Sequence, residues 1–382
     1  MRTMSPVLPP LRLVFWETTQ ACNLACKHCR ASAVGYSDPN ELSFSEACHM
    51  MDGMVALGRP VLVFSGGEPL MRRDIFELMA QARERGLPFA LSTNGTLLDE
   101  AMADRVAAAG PHRVSISLDG PDAATHDEFR RSQGAFAASV AGIRRLRARG
   151  VAVQVNTSVT THNDHLLPEI FQLVERLGCE AWHLFMLVPV GCGLQIPEVQ
   201  RLAAGHYERS LRWFVQAQAS AAIEMKATCA PHVVRIARQM YPDALPQGIE
   251  ASHPTDPQAQ GHLATPRRGH PSAAAGKGCL AGRGICFVSR FGQVQGCGYL
   301  PVAAGQLRLA PLDQIWRDSP FFQRLRDPEA LGGKCGVCEH AKDCMGCRAR
   351  AFAASGDPFA EEPHCAWVPE RLRPTLGGPH AH

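Results

Sequence analysis

Three cysteines near the start of the chain constrain this protein more than any other feature of its sequence. They lie in the stretch Cys22-Asn-Leu-Ala-Cys26-Lys-His-Cys29, at C-x3-C-x2-C spacing, after an apolar, strand-like run at residues 11–16. Three thiolates on one short loop can hold three irons of a [4Fe-4S] cube, because iron–sulfur clusters take cysteine thiolates as ligands. The alternatives are a structural zinc site or unrelated thiols. Zinc sites usually close four ligands in pairs, and this spacing is unusual for one.

The composition is that of a globular protein with an unusually large number of cysteines. Of 382 residues, 46% are hydrophobic and 20% charged, and the net charge of +3 gives no argument for nucleic acid or an anionic membrane as partner. No apolar run reaches the roughly 20 residues that span a bilayer, and residues 1–10 have no signal-peptide core. The 15 cysteines, partly clustered at metal spacing, favour metal clusters in a reducing cytoplasm over disulfides.

The first half of the chain alternates between predicted strands and helices. The predicted strands are residues 11–16, 60–64, 88–91, 113–118, 151–155 and 181–188. The predicted helices between them are residues 43–57, 72–85, 99–109, 136–149 and 165–177. Ser43 and Glu46 form a capping-box pattern at the first helix. Repeated β/α units predict an α/β fold with a parallel sheet, here a partial (β/α)6 TIM-like barrel with its chemistry at the C-terminal strand ends.

Polar and glycine-rich motifs follow three of these strands. Two glycines in a row permit close backbone approach to a ligand, and hydroxyl and carboxylate groups suit a ribose. An arginine follows the fourth strand, and its guanidinium fits a carboxylate in a bidentate way. Each motif alone is more often structural, but their order at successive strand ends favours a ligand site. The candidate residues are Gly66, Gly67, Glu68, Asn94, Ser117, Asp119 and Arg130.

The rest of the chain divides into a middle region and a cysteine-rich end. Helices are predicted at residues 203–219 and 233–240, and a long loop or linker at residues 242–278. Cys192, Cys229 and His232 lie outside cluster spacing, and we interpret them as buried thiols and a helix-cap histidine, or as a wall of the substrate pocket. Eight further cysteines follow, and two zinc ribbons are one interpretation of their C-x2-C pairs. They are Cys279, Cys286, Cys297, Cys335, Cys338, Cys344, Cys347 and Cys365.

The N-terminal motifs, over residues 11–190, resemble those of the radical SAM enzymes. The resemblance implies a catalytic [4Fe-4S] cluster on Cys22, Cys26 and Cys29. Its open iron would be chelated by the amino and carboxylate groups of S-adenosylmethionine (SAM). The Gly-Gly-Glu-Pro stretch would bind the SAM amino group, and Arg130 would pair with its carboxylate.

The C-terminal third resembles the SPASM domain, an auxiliary-cluster module of many radical SAM enzymes. The resemblance implies one or two auxiliary [4Fe-4S] clusters, although the gap before Cys347 is two residues where the usual pattern has three. The predicted domains are an extension at 1–10, the barrel at 11–200, a helical segment and linker at 201–278, the SPASM-type domain at 279–370 and a tail at 371–382. The implied ligand sets are Cys279, Cys286, Cys297 and Cys347 for one cluster, and Cys335, Cys338, Cys344 and Cys365 for the other.

Several stretches are similar to the radical SAM enzymes of the siroheme-dependent heme pathway, namely residues 22–31, 187–193, 226–232, 346–351 and 361–365. This branch implies oxidative decarboxylation of two propionates of Fe-coproporphyrin III to vinyl groups, with a flavodoxin or ferredoxin as electron donor. Alternatives within the branch are deacetylation of 12,18-didecarboxysiroheme and a step towards heme d1. A peptide-modifying maturase is the alternative of another class. The candidate substrate contacts are Lys226, Cys229, His232, Arg348 and Arg350.

Overall fold

The computed structural model describes residues 8–242 and 278–374, and one mixed sheet organises them. The described strands are β1 (Leu13–Glu17), β2 (Val61–Ser65), β3 (Phe89–Thr93), β4 (Arg113–Ser117), β5 (Val153–Val159), β6 (Ala181–Met186), β7 (Glu224–Thr228), β8 (Ile285–Val288), β9 (Gln293–Gln295) and β10 (Ala303–Gln306). Their order is β10-β9-β8-β1-β2-β3-β4-β5-β6-β7. Neighbours from β8 through β1 to β7 pair in parallel, whereas β9 and β10 are antiparallel. The predicted α/β class is therefore confirmed.

Helices connect most of the parallel strands. The described α-helices are α1 (Phe44–Ala56), α2 (Ile75–Glu84), α3 (Glu100–Ala109), α4 (Ala123–Arg130), α5 (Ala135–Ala148), α6 (Leu167–Arg176), α7 (Ala204–Ser220), α8 (Val233–Met240), α9 (Leu312–Asp318), α10 (Pro320–Arg326), α11 (Gly333–Gly336), α12 (Ala341–Cys344) and α13 (Arg348–Ser355). The predicted capping box is present at α1. Helix α2 begins three residues later than predicted, because Arg72 is extended and its guanidinium donates to Asp74 and to the Thr18 carbonyl.

Alternate residues of each strand face the helices and form the apolar core. Trp16, Phe64, Ile116 and Trp182 are fully buried there. Burial of a large apolar side chain stabilises a fold by about 1.5–3 kcal/mol, so this face holds the helices on the sheet. A strand places successive side chains on opposite faces, so the residues between them form a second, polar face.

A long-range ion pair shows that the sheet curves around its polar face. Nη2 of Arg113 on β4 lies 3.0 Å from Oε2 of Glu224 on β7, although β5 and β6 lie between these strands. Neighbouring strands are about 4.8 Å apart, which would separate β4 from β7 by about 14 Å in a flat sheet. The strands therefore curl towards each other, in agreement with the partial barrel that the β/α alternation predicts.

The sheet extends beyond the six predicted strands on both sides. Strand β7 continues the parallel series after residue 200, and β8 pairs with β1, so the cysteine-rich region shares the sheet of the barrel. These strands are three to five residues long and carry little apolar alternation, which explains why the sequence did not reveal them. Most of the predicted linker (243–277), residues 1–7 and residues 375–382 lie outside the described residues. None of the described helices is both long and apolar enough to cross a membrane.

Candidate functional site

The loop after β1 carries the three N-terminal cysteines beside donors that point at their sulfurs. The backbone N–H of Leu24 donates to Sγ of Cys22, and that of Ala33 to Sγ of Cys29, each at 3.4 Å. Cys22 and Cys26 are buried, and Cys29 is half-buried. Donors to sulfur tune and stabilise ligating thiolates in iron–sulfur proteins, so the loop fits a cluster held by these three residues.

Burial favours the neutral form of two thiols in this loop, Cys22 and Cys26. Burial raises the pKa of Cys22 to about 11, and burial also raises the pKa of Cys26 against the opposing effect of Arg130. Metal binding requires thiolates, so loading of this loop must release protons. In the parts of the chain that the structure describes, no three His, Cys, Asp or Glu side chains are spaced to share one metal ion.

Arg130 connects the end of β4 to the cysteine loop. Its Nε lies 2.7 Å from Oδ2 of Asp119, and its Nη1 lies 3.7 Å from Sγ of Cys26. Oδ1 of Asp119 accepts from the backbone N–H of Ser158 at 2.8 Å. His28 stacks on Phe129 at 4.3 Å, and burial lowers the pKa of His28 to about 3, so its ring is neutral. The sequence predicts Asp119 at a ribose, but its carboxylate is occupied by Arg130 and Ser158.

Glu68 and Asn94 connect the ends of β2 and β3 to the same loop. The Glu68 carboxylate is fully buried and accepts from Thr93 Oγ1 and from the backbone N–H of Asn94, both at 2.8 Å, and from that of Leu70 at 3.1 Å. Nδ2 of Asn94 donates to the Asn23 side chain at 2.8 Å and lies 3.9 Å from Sγ of Cys22. Glu68 therefore holds two strand ends together, and Asn94 reaches the cysteine loop itself.

Glycines let two further segments pack directly on the cysteine loop. A Cβ on Gly67 would lie 2.6 Å from the Gln20 carbonyl oxygen, and the Gly67 N–H donates to the Thr19 carbonyl at 2.8 Å. A Cβ on Gly191 would lie 2.6 Å from the Cys29 carbonyl oxygen, at a φ of +54°. The close approach that the sequence predicts at Gly66 and Gly67 is therefore an approach to the loop's own backbone.

The polar face of the sheet carries most of the remaining candidates. Ser117 lies at the end of β4 and is half-buried. Lys226 is in register with His183 on β6, so both lie on the polar face. Lys226 is exposed, and no hydrogen-bond partner holds its ammonium among the described residues. Burial by the surrounding protein lowers the pKa of Lys226, and the Glu224 carboxylate on the same strand opposes this shift.

A second cationic group on the polar face was not found from the sequence. Glu17, at the end of β1, is 2% exposed and pairs with Nη2 of Arg30 at 3.1 Å and with Nη1 of Arg290 at 3.0 Å. Arg30 also stacks over the Phe287 ring at 4.5 Å. Two guanidinium groups share one carboxylate, so the group keeps a net positive charge. The only sequence signal for it was the position of Arg30 next to Cys29.

Four C-terminal cysteines line one cavity, as one of the implied ligand sets requires. The cavity is bordered by the thiols of that set and by His232. Its cysteines are Cys335, Cys338, Cys344 and Cys365. The backbone N–H of Glu362 donates to Sγ of Cys335 at 3.3 Å, which again places a donor on a sulfur. The residues present fit a four-cysteine cluster at this position.

The other implied ligand set is only partly brought together. Cys279, Cys297 and Cys347 are neighbours, because Cys279 and Cys347 both raise the thiol pKa of Cys297, and Cys347 also raises that of Cys279. Cys286 is not among them, because it lies on β8 with its side chain in the apolar core. Cys229 is among them instead, because its thiol and that of Cys347 shift each other's pKa and Cys297 also raises the pKa of Cys229. Spacing could not reveal Cys229, because it lies 50 positions before Cys279 in the sequence.

The structure corrects two of the predicted substrate contacts, Arg348 and Arg350, and places a third, His232, beside the C-terminal cavity. Arg348 and Arg350 are each 1% exposed. Arg348 donates to the Pro358 and Ala360 carbonyls, while Arg350 donates to Glu362, to Tyr207 and to the Leu187 and Cys229 carbonyls. Neither guanidinium is free to hold a substrate carboxylate. His232 is buried beside the C-terminal cavity, where burial lowers its pKa to about 4 and neither ring nitrogen has a described partner.

Comparison with known proteins identifies the family. The model of the radical SAM superfamily matches residues 16–174. A protein of Nitratidesulfovibrio vulgaris named AdoMet-dependent heme synthase is 45% identical over 373 residues, which cover 98% of this chain and 97% of that protein. The chain belongs to the radical SAM superfamily. This radical SAM enzyme is also 45% identical, over 94% of its length and 97% of the relative, to a Methanosarcina barkeri protein of the same name.

A solved structure has the same fold. Streptococcus suis SuiB bound to S-adenosylmethionine matches 94% of the radical SAM enzyme and 78% of that chain, with a TM-score of 0.69 at 14% identity. At this identity the likeness concerns the fold alone. Membership of the superfamily means that the enzyme binds SAM at an iron–sulfur cluster. The family that contains the AdoMet-dependent heme synthases places it among the radical SAM enzymes of heme synthesis.

Proposed function

We propose that this radical SAM enzyme converts two propionates of Fe-coproporphyrin III into vinyl groups and so produces heme b. The observation that carries the proposal is the identity with two AdoMet-dependent heme synthases over nearly the whole of both chains. The agreement includes the C-terminal cysteine region as well as the barrel, so the two parts of the enzyme would serve one reaction.

Cys22, Cys26 and Cys29 are the proposed ligands of the catalytic cluster. Bound SAM and this cluster would supply a hydrogen-abstracting 5'-deoxyadenosyl radical, so that each propionate and one SAM yield a vinyl group, carbon dioxide, methionine and 5'-deoxyadenosine. Glu68 and Asp119 act on this site by positioning, because their carboxylates are already occupied by protein donors. The proposed SAM-binding wall consists of Gly66, Gly67, Glu68, Asn94, Ser117, Asp119 and Arg130.

The cysteines that meet in the C-terminal region are the proposed ligands of two auxiliary [4Fe-4S] clusters. Loss of carbon dioxide from each propionate leaves one electron, and an auxiliary cluster beside the barrel would accept it. A small electron-transfer protein such as a flavodoxin or ferredoxin is the proposed donor for the catalytic cluster. We propose a cytoplasmic enzyme with neither nucleic acid nor a membrane as partner.

Free cations on the polar face support an anionic substrate. Fe-coproporphyrin III carries four propionates, which are ionised at neutral pH. Lys226 is exposed on that face, and Arg30 and Arg290 keep one uncompensated positive charge beside Glu17. We propose that these cations hold propionates that are not reacting. Guanidinium groups pair well with carboxylates, and a remote anchor orients the reacting chain.

The test is anaerobic incubation of reconstituted enzyme with SAM, a reductant and one tetrapyrrole at a time, followed by mass spectrometry. Fe-coproporphyrin III should give the monovinyl and then the divinyl product, with one 5'-deoxyadenosine for each vinyl group. The Cys26→Ala variant should form neither product nor 5'-deoxyadenosine. Deacetylation of 12,18-didecarboxysiroheme in place of vinyl formation would contradict the assigned reaction, and so would SAM cleavage that leaves every tetrapyrrole unchanged.

A further inference from the structure

Cys229 lies directly after β7, and a distant part of the chain holds its backbone in an unusual conformation. Its φ is +57°, in the left-handed region that few residues other than glycine adopt. The Arg350 guanidinium on α13 donates to the Cys229 carbonyl, and the same group is paired with Glu362. Strained conformations persist only where the surroundings over-determine them, and they concentrate at ligand sites. The segment from α13 to Glu362 therefore holds Cys229 in place.

The thiol of Cys229 meets the C-terminal cysteines. Arg350, three residues after Cys347 on the first turn of α13, donates to the Cys229 carbonyl, which brings Cys229 to the start of this helix. There the two thiols act on each other, so that the pKa of Cys347 is lowered and that of Cys229 is raised. Cys297 is the next thiol that acts on Cys229, and Cys279 and Cys347 act in turn on Cys297. Four thiols from three separate parts of the sequence thus form one group.

The N-terminus of helix α13 supports this group. Cys347 is the N-cap residue of α13, so its thiol lies at the N-terminus of this helix. The Cys279 N–H donates to the Cys344 carbonyl at 2.9 Å, which fixes Cys279 beside the end of α12, three residues before Cys347. A helix N-terminus favours negative charge, and thiolates that bind iron are anionic.

Cys286 faces away from this group. It is in register with Val14 of β1, and both side chains are fully buried in the apolar core. The next residue, Phe287, faces the other side of the sheet, where Arg30 stacks on its ring. The pKa of Cys286 is raised by burial alone, without any thiol neighbour. Pairing with β1 fixes the face on which each side chain of β8 lies, so Cys286 cannot turn towards the other cysteines while β8 remains paired.

We propose that Cys229, together with Cys279, Cys297 and Cys347, holds the first auxiliary [4Fe-4S] cluster and that Cys286 is a core residue. The inference rests on the auxiliary clusters of the proposed function and names which chain segments hold one of them. Cys229 follows the C-terminal end of a parallel strand, the edge at which barrel enzymes bind substrate. A cluster on Cys229 would therefore border the substrate cavity, three residues beyond Lys226.

The test uses full-length protein in which Cys22, Cys26 and Cys29 are all replaced by Ala, so that iron reports the auxiliary sites alone. This parent should hold about eight irons and eight sulfides per chain, from two four-cysteine clusters. Adding Cys229→Ala should lower both to about four and remove one of two electron paramagnetic resonance signals of the reduced protein, by the same ligand count. Adding Cys286→Ala, the matched control, should leave iron, sulfide and both signals unchanged.

The opposite result would overturn the inference, with full iron in Cys229→Ala and about half of it lost in Cys286→Ala. The signal of the cluster on Cys335, Cys338, Cys344 and Cys365 shows whether Cys229→Ala still folds. If it is lost too, Cys229→Ser becomes the deciding variant: altered g values support ligation by residue 229, and an unchanged spectrum contradicts it. A parent without auxiliary iron would refute the cofactor content of the proposed function itself.

Discussion

The guanidinium of Arg130 forms an ion pair with the carboxylate of Asp119 through two nitrogens. Nε lies 2.7 Å and Nη2 lies 2.6 Å from Oδ2 of Asp119. Both side chains are buried. Desolvation raises the pKa of Asp119, but the Arg130 guanidinium outweighs it and keeps that pKa below its usual range. The pair therefore stays ionised. It also positions the remaining guanidinium nitrogen of Arg130, Nη1, beside Sγ of Cys26.

Asp119→Asn should lower the free energy of unfolding by about 3–5 kcal/mol, because it leaves a buried guanidinium without its counter-charge. It should also slow reductive SAM cleavage, since Arg130 would no longer be held at Cys26. The matched control is Glu128→Gln, which breaks the surface pair with Lys27 and should cost about 1 kcal/mol or less. Anaerobic urea unfolding and a 5'-deoxyadenosine assay measure both effects. Equal losses of stability in the two variants would contradict the buried ion pair.

Glu68 should make stability depend on pH. Burial raises its pKa to about 7 in the folded chain, against about 4.3 when unfolded. Between these two pKa values the folded state binds more protons than the unfolded state. Protonation of Glu68 therefore adds to the free energy of unfolding, fully below about pH 4.3, and this stabilisation is lost as the pH rises to about 7. Glu68→Gln removes the titration. The stability of this variant relative to the native protein should rise by up to about 3 kcal/mol from pH 4.5 to 7.5.

The measurement for Glu68 is urea unfolding of both proteins at several pH values. Gln also places an amide N–H against the Asn94 N–H, which costs stability at every pH and leaves the slope of the difference unchanged. A flat difference between the two proteins over this range would show that Glu68 is ionised throughout.

Gly67→Ala should disturb the cysteine loop. The added Cβ would meet the Gln20 carbonyl at 2.6 Å, a contact that forces this backbone to move. We expect loss of SAM cleavage together with weaker iron retention at the N-terminal site. The control is Gly35→Ala, where no atom lies within 4 Å of the new Cβ. Both variants are compared with the native protein in iron content after gel filtration and in the rate of 5'-deoxyadenosine formation. Native values of both quantities in Gly67→Ala would refute the packing argument.

Lys226→Ala should weaken porphyrin binding about tenfold or more, because a hydrogen bond between charged groups contributes about 1.5–3 kcal/mol. Lys226 is exposed, so stability should change by no more than about 0.5 kcal/mol. Lys342→Ala, at an exposed position near the C-terminal cysteines, is the control for lost surface charge. Absorbance titration with Fe-coproporphyrin III measures the affinities, and unchanged affinity in Lys226→Ala would remove this residue from the substrate site.

Arg350→Ala should show the reverse pattern. It leaves Glu362 buried without its partner, and it releases the carbonyls of Leu187 and Cys229, so a stability loss of about 3–5 kcal/mol is expected. Any loss of porphyrin binding should be no larger than the fraction of the variant that is unfolded, because the folded fraction should bind with native affinity. Weakened binding in a fully folded Arg350→Ala protein, seen by circular dichroism, would return Arg350 to the substrate site.

Local patterns in the sequence were sufficient wherever a short segment determines its own structure. The capping box at Ser43 formed as predicted, and the helix that ends at Gly110 ends in the left-handed conformation that its glycine permits. The cysteine loop likewise brings three thiols together over eight residues. The assignments that failed depend on long-range neighbours. Arg350 resembled a substrate anchor in the sequence, but Glu362 and Tyr207 occupy it in the fold.

The sequence by itself determined the α/β alternation, the cysteine loop and the superfamily, because periodicity, capping and motif spacing act over a few residues. Only the tertiary structure decided which cysteines meet. Cys286 is close to Cys279 in the sequence, yet its strand register turns it into the core, whereas Cys229 is brought to Cys347 across more than one hundred residues. Side-chain direction in a paired strand and contacts between distant segments are properties of the packed sheet, which spacing alone does not encode.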